Sequence, residues 1–231
     1  MAKINYEEAI KKPFTDIAKL IIGIVLSIVP GLWWVAKGLI LECSGVGKTK
    51  PSKKMPELKN WWNLFVKGFA SDFILVIYAI PAGLVFLVVI GMTISSLAES
   101  ILPMTGSVDT LSQLISQNWY LVMPIILQLA PVMLFGFVLL LIAFYLTPIA
   151  VLNYLKTKKF SEAFNLNRVT KKAFTSDYFV TWIIALVITG VITWIILLIF
   201  SAFPYVGKQI AFFITGVISY SLYGQIYRKV K

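Results

Sequence analysis

The stretch Lys171-Lys172-Ala173-Phe174-Thr175-Ser176-Asp177-Tyr178 occurs in this sequence in three versions. Lys11-Lys12-Pro13-Phe14-Thr15-Asp16 is a shortened copy, and Lys67-Gly68-Phe69-Ala70-Ser71-Asp72-Phe73 is a looser one. Each copy follows a basic segment with aromatic residues, and each leads directly into a long apolar run. The recurrence predicts a single domain, residues 1–231, built from three related units. The units cover about residues 3–56, 57–155 and 156–231.

The composition is that of a membrane protein. The 231 residues are 59% hydrophobic and 13% charged, whereas soluble domains average about 45–50% apolar and about 25% charged residues. Several apolar runs reach the roughly 20 residues that a helix needs to cross a bilayer core. The runs are continuous and not alternating, which argues against a transmembrane β-barrel. We therefore predict an all-α, multi-pass membrane protein in the cell membrane.

The charge pattern and the residue inventory exclude several classes of function. The net charge of +11 arises from lysines and arginines that concentrate beside apolar runs. This pattern indicates membrane orientation and not nucleic-acid binding. The sequence has no histidine and one cysteine, Cys43, which removes the commonest metal ligand, the usual general base and any disulfide within the chain. We expect no cofactor, no metal and no enzymatic activity.

The apolar runs set the expected spans. They cover residues 17–41, 73–98, 119–155, 178–203 and about 209–227. The first is broken in its middle by Pro30-Gly31, and the last two are separated by an expected tight turn at 203–207. The third is too long for one straight span at ~1.5 Å per residue, so we expect a kinked or strongly tilted helix. Residues 99–118 form the one long loop without lysine or arginine.

Two segments are expected to lie at the membrane surface. Residues 3–15 form a weakly amphipathic helix that Pro13 ends or bends. The clearer case follows residue 56, where Leu58, Trp61, Trp62, Phe65 and Phe69 fall on one helical face. Tryptophan favours the headgroup depth of a bilayer, so this segment is expected to form a separate interfacial helix.

Basic and aromatic side chains beside the apolar runs are the candidate lipid contacts. The expected partner is the bilayer, with anionic headgroups as candidate ligands. Ordinary orientation charge is the competing interpretation, and a second copy of the chain or another membrane protein remains open as a partner. The candidate residues are Lys53, Lys54, Lys59, Trp61, Trp62, Lys67, Lys171 and Lys172.

One aspartate recurs in every copy of the opening stretch. Asp16, Asp72 and Asp177 each stand where an apolar helix is expected to begin. A carboxylate there accepts hydrogen bonds from unpaired backbone N–H groups and lies at the positive end of the helix dipole. We therefore predict that the three aspartates are helix caps. The alternative is a cytoplasmic ring of aspartates and lysines that binds headgroups or ions.

Two topologies remain open. In the first, the amino terminus is outside and residues 17–41 cross once, which gives five spans. In the second, both termini are cytoplasmic and residues 17–41 form a short, re-entrant hairpin that turns at Pro30-Gly31, beside four spans. The second places every basic residue except Lys37 and Lys208 on the cytoplasmic side. The repeat also favours it, because the other two units are hairpins.

Two blocks of sequence carry a resemblance to a known family. They are Pro56-Glu57-Leu58, Trp61, Leu64-Phe65, Gly68 and Ile77-Tyr78-Ala79-Ile80-Pro81, and then Pro148, Asn153-Tyr154 and Phe160-Ser161-Glu162-Ala163-Phe164. The chain resembles an uncharacterised family of multi-pass membrane proteins found mainly in archaea. More distantly, it is similar to the membrane domain of some glycerophosphodiester phosphodiesterases. The resemblance implies a helical membrane fold and no established activity.

The expected function is non-enzymatic. We expect a structural, scaffolding or bilayer-shaping component, because interfacial helices and a half-depth hairpin would add area to the cytoplasmic leaflet. The alternative is a permease or flippase for a small or lipidic solute. In that case, helix breaks at Pro81, Pro131 and Pro148 would line the path.

Overall fold

The computed structural model describes residues 4–47, 52–105 and 119–230, apart from the side chains of 97–105 and 119–122. These residues form α-helices and two short 3-10 segments, Lys12–Thr15 and Phe160–Phe164. The described chain contains no strand, so the all-α prediction is confirmed. The α-helices are α1 (Tyr6–Lys11), α2 (Ile17–Ile28), α3 (Trp33–Glu42), α4 (Trp61–Thr105), α5 (Trp119–Thr157), α6 (Leu166–Ala173), α7 (Ser176–Ile199) and α8 (Pro204–Lys229).

Four helices are long and apolar enough to cross a membrane. Two of them are parts of longer helices: Trp61–Ser96 of α4 and Met123–Thr157 of α5. The other two are the whole of α7, Ser176–Ile199, and the whole of α8, Pro204–Lys229. These are the helices that the last four apolar runs predict. A polytopic helical architecture is therefore the fold of the described chain.

The first apolar run forms two short helices. α2 has 12 residues and α3 has 10, and they pack against each other. Gly31 stands between them at φ +84°, a left-handed conformation that glycine adopts without steric cost. At ~1.5 Å per residue, neither helix reaches across the ~30 Å of a bilayer core. One straight span over 17–41 is therefore wrong, and a short hairpin takes its place.

The predicted boundary between an interfacial helix and a span at Asp72 is wrong. α4 runs without interruption for 45 residues, from Trp61 to Thr105, and so also enters the expected loop 99–118. The helix continues because the Asp72 side chain is engaged by residues of α3, as described below, and the Ser71 hydroxyl donates back to Gly68 O at 2.7 Å. The rest of that loop, 106–118, lies outside the described residues.

The turn between the last two helices lies earlier than expected. α7 ends at Ile199, Phe203 is the N-cap residue of α8, and Pro204 is the first residue of α8. Proline suits the first helical position, because its missing N–H would have no partner there and its fixed φ is already helical. The turn is therefore at 200–203, and residues 204–207 are helical.

Met1–Leu75 and Tyr145–Lys231 form one compact unit, with α8 at its centre. α8 contacts α1, α2, α3 and α7. Its fully buried side chains include Phe213, Val217, Ile218, Leu222 and Ile226. Lipid tails are as apolar as these side chains, so dispersion from close packing is what holds such helices together in a membrane.

Within this unit, two glycines bring α3 and the first turns of α4 into backbone contact. A methyl group at Gly38 would lie 2.0 Å from Leu64 O, and one at Gly68 would lie 1.9 Å from Trp34 O. Neither position has space for a side chain. The crossing of α3 and α4 therefore requires glycine on both helices.

Cys43 closes α3 and is 1% exposed. Its Sγ donates to Leu39 O at 3.3 Å, and its backbone N–H donates to the carbonyls of Leu39 and Ile40. The thiol therefore lies in the interior, at the carboxyl end of the short hairpin.

Val76–Phe144 form a second compact unit. Within it, the ring of Phe86 meets that of Phe137 edge-on at 5.2 Å, and Gly136 gives the Phe86 ring space. Many of its large apolar side chains are exposed, including Leu84, Leu87 and Leu134, a surface that suits lipid and not water. The boundaries between the two compact units fall inside α4 and α5.

Candidate functional site

In the first and third copies of the repeated stretch, a lysine binds the end of the helix that closes its own hairpin. Lys12 Nζ donates to Cys43 O at 2.7 Å, at the end of α3. Lys172 Nζ donates to Tyr227 O at 3.2 Å and to Val230 O, at the end of α8. The last carbonyls of a helix lack partners within the helix and attract cations. Both lysines therefore have a structural role.

The two lysines share further details. Thr15 Oγ1 donates to Lys12 O at 2.8 Å, and Thr175 Oγ1 donates to Lys172 O at 2.9 Å. Both copies thus read Lys-x-Phe-Thr in sequence and in structure. Burial lowers the pKa of the Lys172 ammonium, and repulsion from the Lys156 charge adds to this effect.

The ring of Tyr227 gives Lys172 a second contact. Lys172 Nζ lies 4.5 Å from the ring centroid, within the range of a cation–π interaction. The ring is fixed from its far end, because the Tyr227 hydroxyl donates to Oδ1 of the buried Asn153 at 2.6 Å. Lys172 is therefore fixed by carbonyls and by an aromatic ring together.

The second copy is arranged differently. Lys67 occupies the corresponding position, two residues before Phe69 and five before Asp72. Its Nζ pairs with Glu42 Oε1 at 2.9 Å, and not with the end of α5, the helix that closes this hairpin. Lys67 and the end of α5 instead line one cavity.

This cavity has a volume of about 580 Å³, within the roughly 300–1,000 Å³ typical of ligand pockets. Every lining residue belongs to the first compact unit. The walls combine apolar, aromatic and charged side chains. They include Leu41, Val66, Leu155, Trp62, Tyr154, Glu42, Lys67, Lys156 and Lys158.

Two residues with unusual backbone conformations line the cavity. Asn60 has φ 59° and Lys158 has φ 58°, and no other non-glycine residue in the described ranges has a positive φ. Asn60 Oδ1 accepts a hydrogen bond from Asn63 N at 3.3 Å at the start of α4, and Lys158 N donates to Tyr154 O at 2.7 Å at the end of α5. The cavity therefore lies between the first turn of α4 and the last turn of α5. A left-handed residue just after a helix is a common way to end it, as at Lys158, and asparagine adopts this conformation more readily than most residues, as at Asn60.

The charges around the cavity do not balance. Glu42 neutralises Lys67. Lys156 and Lys158 are exposed and form no ion pair within the described part of the chain, although Lys156 Nζ lies 5.8 Å from the Tyr227 ring centroid. The cavity is thus basic, with apolar and aromatic walls, and it suits an amphiphile with a negative charge.

Asp72 is not a helix cap, which corrects the prediction. It lies in the interior of α4, where its carboxylate accepts from Trp34 Nε1 at 2.9 Å and pairs with Lys37. The side chains of Lys37 and Asp72 are only 15% and 24% exposed. The pair explains how the apolar run that forms α3 tolerates a lysine, since a neutralised charge is far less costly away from water.

The other two recurring aspartates also differ from each other. Asp16 is the N-cap residue of α2 and accepts from Lys19 N at 3.2 Å; its hydrogen bond with the Lys19 ammonium lowers its pKa. Asp177 lies inside the first turn of α7, while Thr175 is the N-cap residue and accepts from Tyr178 N at 3.3 Å. The Asp177 carboxylate pairs with Lys229 at 2.7 Å. Its assignment as the cap is wrong because the preceding threonine has that role.

Of the candidate lipid-contacting residues, the structure brings only Trp62 and Lys67 to the cavity. The Lys172 ammonium group is hydrogen-bonded to the end of α8. Lys59 pairs with Glu57, and this hydrogen bond raises the pKa of Lys59. The remaining candidates are exposed: Lys53, Lys54, Trp61 and Lys171. Sequence reasoning missed Lys156, Lys158 and Tyr154 as site residues. These residues form a site only because the end of α5 lies beside the start of α4. Sequence periodicity does not show which helix ends lie next to each other.

These observations define the class: a helical protein with four helices able to cross a membrane and a basic cavity at helix ends. The chain belongs to the family described as "Protein of unknown function (DUF4013)", which matches residues 20–201. The sequence-based resemblance to an uncharacterised family agrees with this match. Comparison with curated proteins and with solved structures yields no significant match.

We predict that Asp72→Ala destabilises the protein and that a second change reverses most of the loss. The single variant leaves the Lys37 charge among packed helices without a carboxylate. We expect a loss of roughly 3 kcal/mol in the free energy of unfolding, the lower end for a broken buried ion pair because both side chains keep some exposure. The double variant Asp72→Ala/Lys37→Met removes the unpaired charge. Unfolding in detergent measures both, and a double variant no more stable than the single one would contradict this account.

We predict that Lys172 and its neighbour Lys171 differ in their effect on stability. Lys172→Met removes charge-assisted hydrogen bonds to the end of α8, so we expect a loss of about 2 kcal/mol. Lys171 is exposed, and Lys171→Met is the matched control with a change within about 0.5 kcal/mol. The same unfolding measurement compares them. Equal effects of the two substitutions would show that Lys172 has no special structural role.

Proposed function

We propose that this protein is a non-enzymatic membrane component that shapes or scaffolds the bilayer. The observation that carries the proposal is the short hairpin of α2 and α3. Neither helix is long enough to cross a bilayer, yet the outer face of α2 is strongly apolar. Its exposed side chains include Ile17, Ile21, Ile22 and Val25.

The hairpin is held firmly from its inner side. Leu20 and Leu26 of α2 are buried, and Gly23 lies so close to the Phe213 ring that a methyl group there would clash at 2.0 Å. The outer apolar face therefore has a fixed position relative to α8. A rigid apolar element of half-bilayer length occupies area in one leaflet only, and such asymmetry favours curvature.

We infer that both termini lie on the cytoplasmic side of the cell membrane. The carboxyl ends of α5 and α8 are rich in basic side chains, including Lys156, Lys158 and Arg228, and the carboxyl end of α3 is bound by Lys12 and Arg228. Short basic connections remain on the cytoplasmic side in multi-pass proteins. A hairpin over residues 17–41 leaves the amino terminus on the same side as these ends.

This topology makes a direct prediction. An epitope tag at the amino terminus should be inaccessible to a membrane-impermeant probe in intact cells and accessible after permeabilisation. A tag within 106–118, which the charge pattern assigns to the outside, is the matched control and should be labelled in intact cells. Labelling of the amino-terminal tag in intact cells would overturn the proposed topology.

The carboxylates at the helix ends support a structural role over a catalytic one. Glu42 pairs with Lys67, Glu162 with Arg168, and Asp177 with Lys229. A general acid or base needs a carboxyl group that can reach a substrate proton in a suitable protonation state. These groups instead join one helix to another or one turn to the next.

Reconstitution tests bilayer shaping. At high protein density, we expect liposomes to become smaller or tubular, as electron microscopy and light scattering would show. Ile21→Ser/Val25→Ser makes the outer face of α2 polar without touching the core and should weaken the effect. Val187→Ser/Val191→Ser, on the exposed face of the spanning helix α7, is the control and should retain it. Liposomes of unchanged size and shape with the native protein would rule out shaping.

A permease or flippase for a small or lipidic solute is the second candidate. The observation that favours it is the basic cavity, whose volume and mixed lining suit a solute or a headgroup. Transport of labelled lipids or reporter solutes in the same proteoliposomes separates the two functions. Flux without a change in vesicle shape would favour transport.

A further inference from the structure

We propose that the cavity between α4 and α5 binds the phosphate group of an anionic phospholipid, with Lys156 and Lys158 as its cationic partners. The inference rests on the membrane location proposed above, but not on bilayer shaping. It gives a specific ligand class to a site that the sequence pattern alone treats as orientation charge.

The repeat shows what is special about this place. In the first and third repeats, the lysine of the Lys-x-Phe stretch, Lys12 or Lys172, donates a hydrogen bond to the carboxyl end of the helix that closes its hairpin. In the second repeat, about residues 57–155, Lys67 pairs instead with Glu42. The space between Lys67 and the end of α5 is the cavity of about 580 Å³. The second repeat therefore has room for a ligand at the place where, in the other two repeats, a lysine contacts the end of a helix directly.

The electrostatics of the cavity select an anion. Glu42 is the acidic residue in the lining, and Lys67 neutralises it at 2.9 Å. Lys156 and Lys158 then leave an excess of positive charge, and Asn60, Trp62 and Asn63 bring the amino end of α4 to the same cavity. Ammonium groups and the positive end of a helix dipole both favour phosphate. The carboxyl ends of α3 and α5 at the same cavity favour cations, so the two lysines, which form no ion pair within the described chain, decide the sign of the site.

The other walls select an amphiphile over a free ion. Leu41, Val66 and Leu155 are apolar, and the Trp62 side chain is 73% exposed. Tryptophan and tyrosine suit the level where headgroups meet acyl chains. Since Tyr154 also lines the cavity, a phosphate at the lysines leaves glycerol and the first acyl carbons beside aromatic and apolar walls.

The test uses the full-length protein, delipidated in a non-ionic detergent. Native mass spectrometry titrates it with dioleoyl phosphatidylglycerol, with dioleoyl phosphatidylcholine and with inorganic phosphate as a competitor. We expect the anionic lipid to bind more tightly than the zwitterionic one. Lys156→Gln/Lys158→Gln should weaken binding of phosphatidylglycerol by roughly tenfold or more, given the contribution of each lysine near a charged headgroup.

Lys11→Gln/Lys208→Gln removes the same charge at exposed positions outside the cavity and should leave the affinity within about twofold of the native value. The thermal unfolding midpoint confirms that both variants are folded. Displacement by inorganic phosphate at comparable concentrations would support the phosphate site but make a soluble phosphate the ligand. Equal affinity for the two lipids, or equal effects of the two double variants, would overturn the proposal. Because no vesicle is involved, this outcome is independent of the bilayer-shaping experiment.

Discussion

Lys12 and Lys172 each donate to the last carbonyls of the helix that closes their own hairpin. A helix that ends near a bilayer leaves carbonyl oxygens without partners, and water is scarce where other helices cover that end. Arg228 binds the same end of α3 as Lys12 does, because its guanidinium donates a hydrogen bond to Ser44 O at 2.7 Å. The first and third repeats are thus closed by cations at the carboxyl ends of α3 and α8. In the topology proposed above, the basic residues that neutralise these helix ends also lie on the cytoplasmic side.

A second constraint joins the short hairpin to the long helices. α3 crosses the first turns of α4 at backbone contact, which Gly38 and Gly68 allow, and the Lys37–Asp72 pair lies at the same crossing. Polar pairing gives such a crossing a defined register, while the glycines give it close packing. The Lys67–Glu42 pair continues this contact toward the cavity. The hairpin, the start of α4 and the cavity wall are therefore parts of one packed region.

The sequence predicts most of this architecture, because hydropathy and proline-glycine breaks act locally. The apolar runs 178–203 and 209–227 form most of α7 and α8, and the break at Pro30-Gly31 lies in the turn between α2 and α3. The role of Asp72 could not be predicted in this way. Its partners Trp34 and Lys37 lie on another helix, and a carboxylate that is paired across a helix contact has the same local sequence signature as a cap. The cavity was missed for the same reason, since Lys156 and Lys158 look like ordinary orientation charge until the end of α5 is seen beside the start of α4.

The position of Cys43 has a practical consequence. It is the one cysteine of the sequence, and it lies 1% exposed at the end of α3, with its Sγ donating to Leu39 O. A folded protein with its native thiol enclosed in this way behaves toward maleimides as a cysteine-free background. Reporter cysteines can therefore be introduced one at a time, with the native Cys43 and its contacts left in place. Spin labels and fluorophores then report on each membrane depth without a substitution in the packed region that holds the hairpin.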